Sequence, residues 1–404
     1  MAIRCLQKDT VLQRVSGLRL QLRADNFVDV TSGERTVQFG SHALAILNAF
    51  AQPMRLQEAL NGLAVRGPED WAAAIGTVSA LHEAGLLLTP GTSARPPEGG
   101  FSAASIHIAM LNDSARVHAY SEALRNSVQP DDVVLDIGTG TGILALIAAR
   151  AGARRVFAIE SGTMADVAQM VFERSEVANR IELIRGWSTQ VELPERASLL
   201  VSEIIGDDPL GENVLAVVRD ARQRLLHPDA RHLPDHLKVF ALPVTIPEAH
   251  RARHTVTDQA LATWQAQYGI DFSPLRQMEH SPDRPLFFIP PQEAASWSAL
   301  GPPFLLSEFA LASLSDQRVS TRAETPLTSA GTLNGLIIYF ELGLGSESVS
   351  THPARATVAN SWKSPVCWVP GQPSVRAGDT ATFSICRHRA NWKIELAELR
   401  ASAG

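Results

Sequence analysis

Residues 133–160 read VVLDIGTGTGILALIAARAGARRVFAIE. An apolar run, Val133–Ile137, has the character of a strand buried on both faces. A turn with glycines at 138, 140 and 142 follows, then an apolar helix, then a second strand, RVFAIE. Glycines at such a turn let the backbone come close to a ligand and aim its amides from a helix N-terminus. Two acids sharpen the reading. Asp136 precedes the turn, poorly suited to a pyrophosphate but well suited to an amino-acid ammonium. Glu160 ends the next strand, where a carboxylate can hold both ribose hydroxyls. Dinucleotide dehydrogenases use similar glycines; Asp136 and the order Asp-Ile-Gly-Thr-Gly-Thr-Gly favour S-adenosylmethionine (SAM).

Downstream, IELIRG and ASLLVSEI read as further strands, so the region 101–245 alternates strand and helix, the mark of a parallel sheet covered by helices. The last of these strands runs into VSEIIGDDPLGENVL, residues 201–215, which holds Glu203, Asp207, Asp208 and Glu212. Gly206, Pro209 and Gly211 break any regular structure there. An acidic loop after a strand is ordinarily solvated. This one leaves the C-terminal end of a sheet that also carries the glycine turn, which is where ligands bind in such folds. Asp207 and Asp208 read as solvated loop acids, with narrowing of the site's entrance as the alternative.

A chain of 404 residues is too long for one ordinary core. Residues 1–90 combine short alternating strands (LRLQLRADNFVDVTSGERTVQFG) with three helices, the first two separated by Pro53 and the third in DWAAAIGTVSALHEAG. They make a winged-helix-like α+β unit. Residues 91–100 are a proline- and glycine-rich linker. Residues 246–404 are mainly antiparallel β, with a helical insertion at 257–276. The net charge of −6 and the lack of a basic run disfavour nucleic acid, and no apolar run is long enough to span a membrane. Cys5, Cys367 and Cys386 are odd in number and show no metal-ligand spacing, which fits a reducing cytoplasm.

Several stretches together resemble the protein arginine methyltransferases, from about residue 101 to the C-terminus. MLNDSARVHAY resembles the family's helix over the cofactor, which implies that Met110 lines the site and Arg116 pairs with the SAM carboxylate. Gly138, Gly140, Gly142, Asp136 and Glu160 fall on its SAM loop. SEIIGDDPLGE is similar to its double-glutamate loop, with Glu203 and Glu212 as catalytic residues. NSWKSPVCWVP lies where the family has Thr-His-Trp, so Trp362 would wall the acceptor pocket and Ser361 replaces a histidine that pairs with an acid, here Asp113. That dyad is expected to be incomplete. The family's paired tyrosines are reduced to Phe101, a candidate acceptor contact. STQVELP and PLGE look most like the monomethylating branch, with Ser188 and Thr189 near the adenine. TWQAQYGIDFSPL resembles a dimerisation arm, implying a homodimer through Trp264, Tyr268 and Phe272. The resemblance implies a class I SAM-methyltransferase Rossmann-like domain, a C-terminal antiparallel β-barrel-like domain and the small N-terminal domain.

Two carboxylates suit the chemistry. A guanidinium is planar and cationic, and carboxylates grip its donor fork with paired, charge-assisted hydrogen bonds. It cannot usefully be deprotonated in advance, its pKa exceeding about 12. Catalysis therefore rests on alignment and exclusion of water. The expected product is ω-N-monomethylarginine. The acceptor is expected to be free L-arginine in natural-product biosynthesis, with an arginine-containing peptide held by the N-terminal unit as the alternative. A non-catalytic peptide-binding protein is the competing reading of another class; the joint presence of Asp136, Glu160, Glu203 and Glu212 argues against it.

Overall fold

The computed structural model describes residues 8–15, 17–23, 27–32, 35–63, 65, 67–89, 103–278, 286–314, 319–357, 359–388 and 391–402. Phe101, Cys5 and the 91–100 linker lie outside the described residues. The chain divides into two compact units, Met1–Ala103 and Ala104–Gly404.

The first unit is α+β. Strands Arg19–Leu22, Val28–Ser32 and Arg35–Phe39 form an antiparallel sheet. Helices His42–Ala49, Leu56–Asn61 and Gly67–Glu83 follow. The third helix starts three residues before the expected Asp70, because Pro68 and Glu69 suit a first turn. One strand was not legible in the sequence. Val11–Arg14 is too short to show a period and owes its form to pairing with Met54–Arg55 on one side and Leu87–Leu88 on the other. Leu12, Val30, Ile46, Leu47 and Leu81 are fully buried in this unit's own core.

The second unit contains a five-stranded parallel sheet. Its order in space is Leu226–Leu233, Ala197–Ser202, Val133–Ile137, Arg155–Glu160, Ile181–Arg185. The central strand is buried along its whole length, as its unbroken apolar run requires. From it the chain first moves one way, to Arg155–Glu160, and later the other way, to Ala197–Ser202. Such a reversal leaves a crevice at the C-terminal ends of the strands. The register fixes what meets there. Val201 pairs with Asp136 and Ser202 with Ile137, while Ile159 pairs with Ile137 on the far side. The glycine turn, the 203–212 loop and Glu160 therefore leave the sheet side by side.

Beyond this sheet and its helices the unit is mainly antiparallel β. Strand His236–Thr245 pairs with Gly335–Leu344 from His236↔Gly343 to Val244↔Gly335, and Ser364–Trp368 lies against the latter. A second sheet holds Val319–Pro326, Thr380–His388 and Asn391–Arg400. One apolar cluster runs continuously from Leu135, Phe157 and Val214 of the parallel sheet region to Ile338, Phe340 and Trp362 of the β region. Burying each large side chain of this kind contributes about 1.5–3 kcal/mol, so the two regions hold one another in place. The insertion forms helix Asp258–Tyr268, capped by the Thr257 hydroxyl and ended by a left-handed Gly269. None of this helix's residues is buried, and Trp264 and Tyr268 pack edge-on against Phe272. No helix among the described residues is long and apolar enough to cross a membrane.

Candidate active site

The glycine turn is shaped by its neighbours. Gly138, Gly140 and Gly142 all have positive φ (75°, 56° and 87°). A Cβ on Gly138 would meet Ile204 at 2.6 Å, and one on Gly142 would meet the Phe172 ring at 2.3 Å. These two glycines make room for protein side chains, which the sequence alone did not show. A Cβ on Gly140 would stand 3.1 Å from His107. His107, buried on helix Ala104–Asn112, therefore lies over the turn. It escaped the sequence reading, although it sits one helical turn before Met110.

Asp136 is fully buried and turned into the loop it precedes. Its Oδ2 accepts from Thr139 Oγ1 (2.5 Å) and Ala145 N (3.1 Å), while Oδ1 has no hydrogen-bond partner among the described residues. Burial pushes this carboxyl up to about 7, against the pull of those two donors. Glu160 accepts from Gly140 N (2.9 Å) and Gly162 N (2.6 Å), so its carboxylate is set across the turn. Ser188 is buried, with its carbonyl held by Arg224, whereas Thr189 is exposed.

The acidic loop places its two glutamates differently. The Glu203 side chain is only 8% exposed and forms an ion pair with Arg116, Oε2 to Nη1, at 2.9 Å. Arg116 Nη2 also donates to the Met110 carbonyl at 2.8 Å. Arg116 was expected on a cofactor carboxylate; here its guanidinium is held by Glu203 and lies 5.1 Å from the Trp362 ring centre. Burial pushes Glu203 up to about 7, opposed by Arg116 and the Ile205 amide. Tyr120, unassigned from sequence, is buried beside Glu203 and donates to the Ser202 carbonyl at 3.2 Å. Glu212 Oε1 approaches the backbone of Gly206 so closely that a Cβ there would stand 2.6 Å from it. The glycine at 206 is thus what lets the second glutamate fold back towards the start of the loop.

Trp362 is almost fully buried. Its Nε1 donates to the Ile205 carbonyl at 2.7 Å and its ring meets Phe340 edge-on. Ser361, expected to leave Asp113 without its partner, in fact engages it twice, through N (2.9 Å) and Oγ (3.2 Å). A backbone amide and a hydroxyl stand where the family that the sequence resembles has a histidine. Asp207 is also not a solvated acid: it accepts from Lys363 N at 2.8 Å and is partly buried. Asp208 accepts from Leu210 N at 3.2 Å and is half-buried. Among the described residues no cluster of three or more His, Cys, Asp or Glu could hold a metal ion.

A glycine turn at the crevice of a five-stranded parallel sheet, joined to an antiparallel β region through a shared core, is the architecture of a class I methyltransferase fold with an appended β domain. A family model described as ribosomal protein L11 methyltransferase (PrmA) matches residues 120–223. A probable protein arginine N-methyltransferase 6 of Arabidopsis thaliana is 34% identical over 175 residues, 43% of this chain and 39% of that protein. Protein arginine N-methyltransferase PRMT10 of the same plant is 32% identical over 202 residues, 48% of this chain and 51% of that protein. The Trypanosoma brucei PRMT1 enzyme–prozyme complex with AdoHcy superposes with a TM-score of 0.63 at 25% identity, covering 73% of this chain and 93% of that one. Within the methyltransferase class, the chain is homologous to the protein arginine methyltransferases in general. No branch of them is singled out, so the resemblance to a monomethylating branch is not carried by these relatives. The chain spans about half the length of the curated relatives it matches. Their names specify arginine in protein as the acceptor. This overturns the expectation of free L-arginine in natural-product biosynthesis.

Proposed function

We propose that this chain transfers a methyl group from SAM to the guanidino group of an arginine in a peptide or protein. The observation that carries the reading is internal: a guanidinium, that of Arg116, is already bound by Glu203 against Trp362. The pocket's chemistry thus suits the group it is proposed to modify. The surroundings of the glycine turn suit SAM. Asp136 offers a buried acceptor without a partner, Glu160 offers a carboxylate, and the His107 ring lies against Gly140 of the turn. SAM, when bound, supplies a methyl group on a cationic sulfur. Glu203 and Glu212 orient the guanidinium plane by charge-assisted hydrogen bonds, and Trp362 closes the apolar side. The guanidinium keeps its proton until attack, and Glu212 or solvent takes the proton released afterwards. The rate comes mainly from alignment in a water-poor site.

The test is mass spectrometry of the chain incubated with SAM and an arginine peptide. A mass gain of one methyl on arginine is expected. Methylation confined to lysine, or absent, sinks the reading. The finer reading, a product that stops at ω-monomethylarginine, is supported by Ser188, Thr189 and the PLGE sequence, and a dimethyl product accumulating in the same assay refutes it.

Run against pH, the assay has a second readout. A protonated Glu203 cannot grip a cation, so kcat/KM for the peptide is expected to rise from about pH 6 to about pH 8 with a midpoint near 7. A flat profile would remove Glu203 from this role. Stability has the opposite sign. Asp136 and Glu203 both have folded pKa values raised to about 7. Their stabilising contribution is full below their ordinary values and is lost as pH rises through about 7.

The exposed arm supports a homodimer. Its aromatic residues Trp264, Tyr268 and Phe272 pack on one another while Tyr268 and Ile270 remain more than half exposed. A monomeric mass by light scattering at micromolar concentration rules the dimer out.

A further inference from the structure

Ser361, Trp362 and Lys363 are consecutive, and each reaches a different part of the site. Ser361 binds Asp113, which also caps the helix that carries Arg116, its Oδ1 accepting from Arg116 N at 3.3 Å. Trp362 Nε1 binds the Ile205 carbonyl, and Lys363 N binds Asp207 Oδ1. Ile205 and Asp207 flank Gly206, the residue against which Glu212 rests. The hydrogen bonds at Ile205 and Asp207 thus tie the 203–212 loop to the β region on each side of its most permissive position. Each tie joins one side chain to one backbone group, and the Asp207 tie is the one whose side chain belongs to the loop itself.

We propose that Asp207 is a positioning residue for the guanidinium-binding glutamates, a role resting on the function proposed above. Its carboxylate fixes the backbone just after Gly206 by accepting from the Lys363 amide. Glycine carries no Cβ to restrict this part of the loop, so without the tie the backbone just after Gly206 loses the anchor on that side. Drift there separates the two carboxylates that must meet one planar cation. Asp207 needs only an oxygen acceptor for this role. It does not touch the acceptor guanidinium, and its charge is dispensable.

The discriminating pair is Asp207→Ala against Asp207→Asn, with steady-state kinetics on an arginine peptide and hydrogen exchange at the Lys363 amide. Asp207→Ala is expected to lower kcat/KM about 10- to 100-fold, as small misplacements of reacting groups do, with SAM affinity within about two-fold. Its Lys363 amide should exchange faster. Asp207→Asn keeps an acceptor oxygen and is expected to retain activity within about three-fold of the parent, with the amide still protected. Unchanged exchange in Asp207→Ala overturns the tie. Faster exchange with parental kcat/KM overturns the positioning role. An Asn variant as damaged as the Ala variant shows that charge is what matters, and also overturns the proposal. Failure of the function reading is separately visible, because the parent chain would then methylate no arginine peptide while the exchange arm still reads the tie.

Discussion

Glu212→Gln is expected to lower kcat/KM for an arginine peptide by about 100-fold or more, with SAM affinity unchanged within a few-fold. The glutamine keeps the shape but gives up one charged partner of a desolvated guanidinium, a loss of about 3–5 kcal/mol. Glu203→Gln should lower activity at least as much, because it also removes the charged partner of Arg116 in a pair whose side chains are only 7% and 8% exposed. Burial raises Glu203 to about 7, so the fold favours its neutral form, and the neutral glutamine is expected to leave Tm near the parental value. Both variants are therefore expected to lose turnover at nearly parental Tm. Gly206→Ala should resemble the first. Its methyl would fall 2.6 Å from Glu212 Oε1, the far end of a flexible side chain. The fold can absorb that displacement cheaply, while the active carboxylate is pushed aside. Calorimetry showing that Glu212→Gln loses SAM affinity and keeps peptide affinity would reverse the assigned roles.

Gly142→Ala is expected to be among the most destabilising single-methyl additions in the second unit, and to abolish SAM binding. Two costs add. A positive φ of 87° disfavours any L side chain by roughly 1–2 kcal/mol. The new Cβ would also stand 2.3 Å from the Phe172 ring, which is buried and cannot swing clear. Overpacking of that kind costs about 1–3 kcal/mol. The sum corresponds to a fall in Tm of very roughly 5–15 °C for a unit of this size. Gly152→Ala is the control. Its φ of 111° is also unfavourable, but nothing lies within 4 Å of the added Cβ. Thermal melts showing Gly142→Ala no worse than Gly152→Ala would mean that Phe172 yields, and that contact would not hold the turn.

Residues 133–160 determined their own fold because their signals are local. Apolar strands, glycines at a turn and an apolar helix each act within a few residues of one another, and the structure follows them. The 258–268 helix was legible for the same reason, from its helical period and its glycine stop. The positions of Glu203 and Glu212 on one loop were likewise fixed by spacing. What the loop and its neighbours bind was not. Arg116 finds Glu203 across 87 residues of sequence, Lys363 finds Asp207 across 156, and Ser361 finds Asp113 across 248. No local pattern encodes such pairs. A long polar side chain, or a backbone amide outside a ladder, takes whichever partner the packed elements bring within about 3 Å, and burial then makes that choice costly to undo. The same holds for the glycine turn. The sequence determined that residues 138 and 142 would be permissive; only the packing of Ile204 and Phe172 against them decided what that freedom is for.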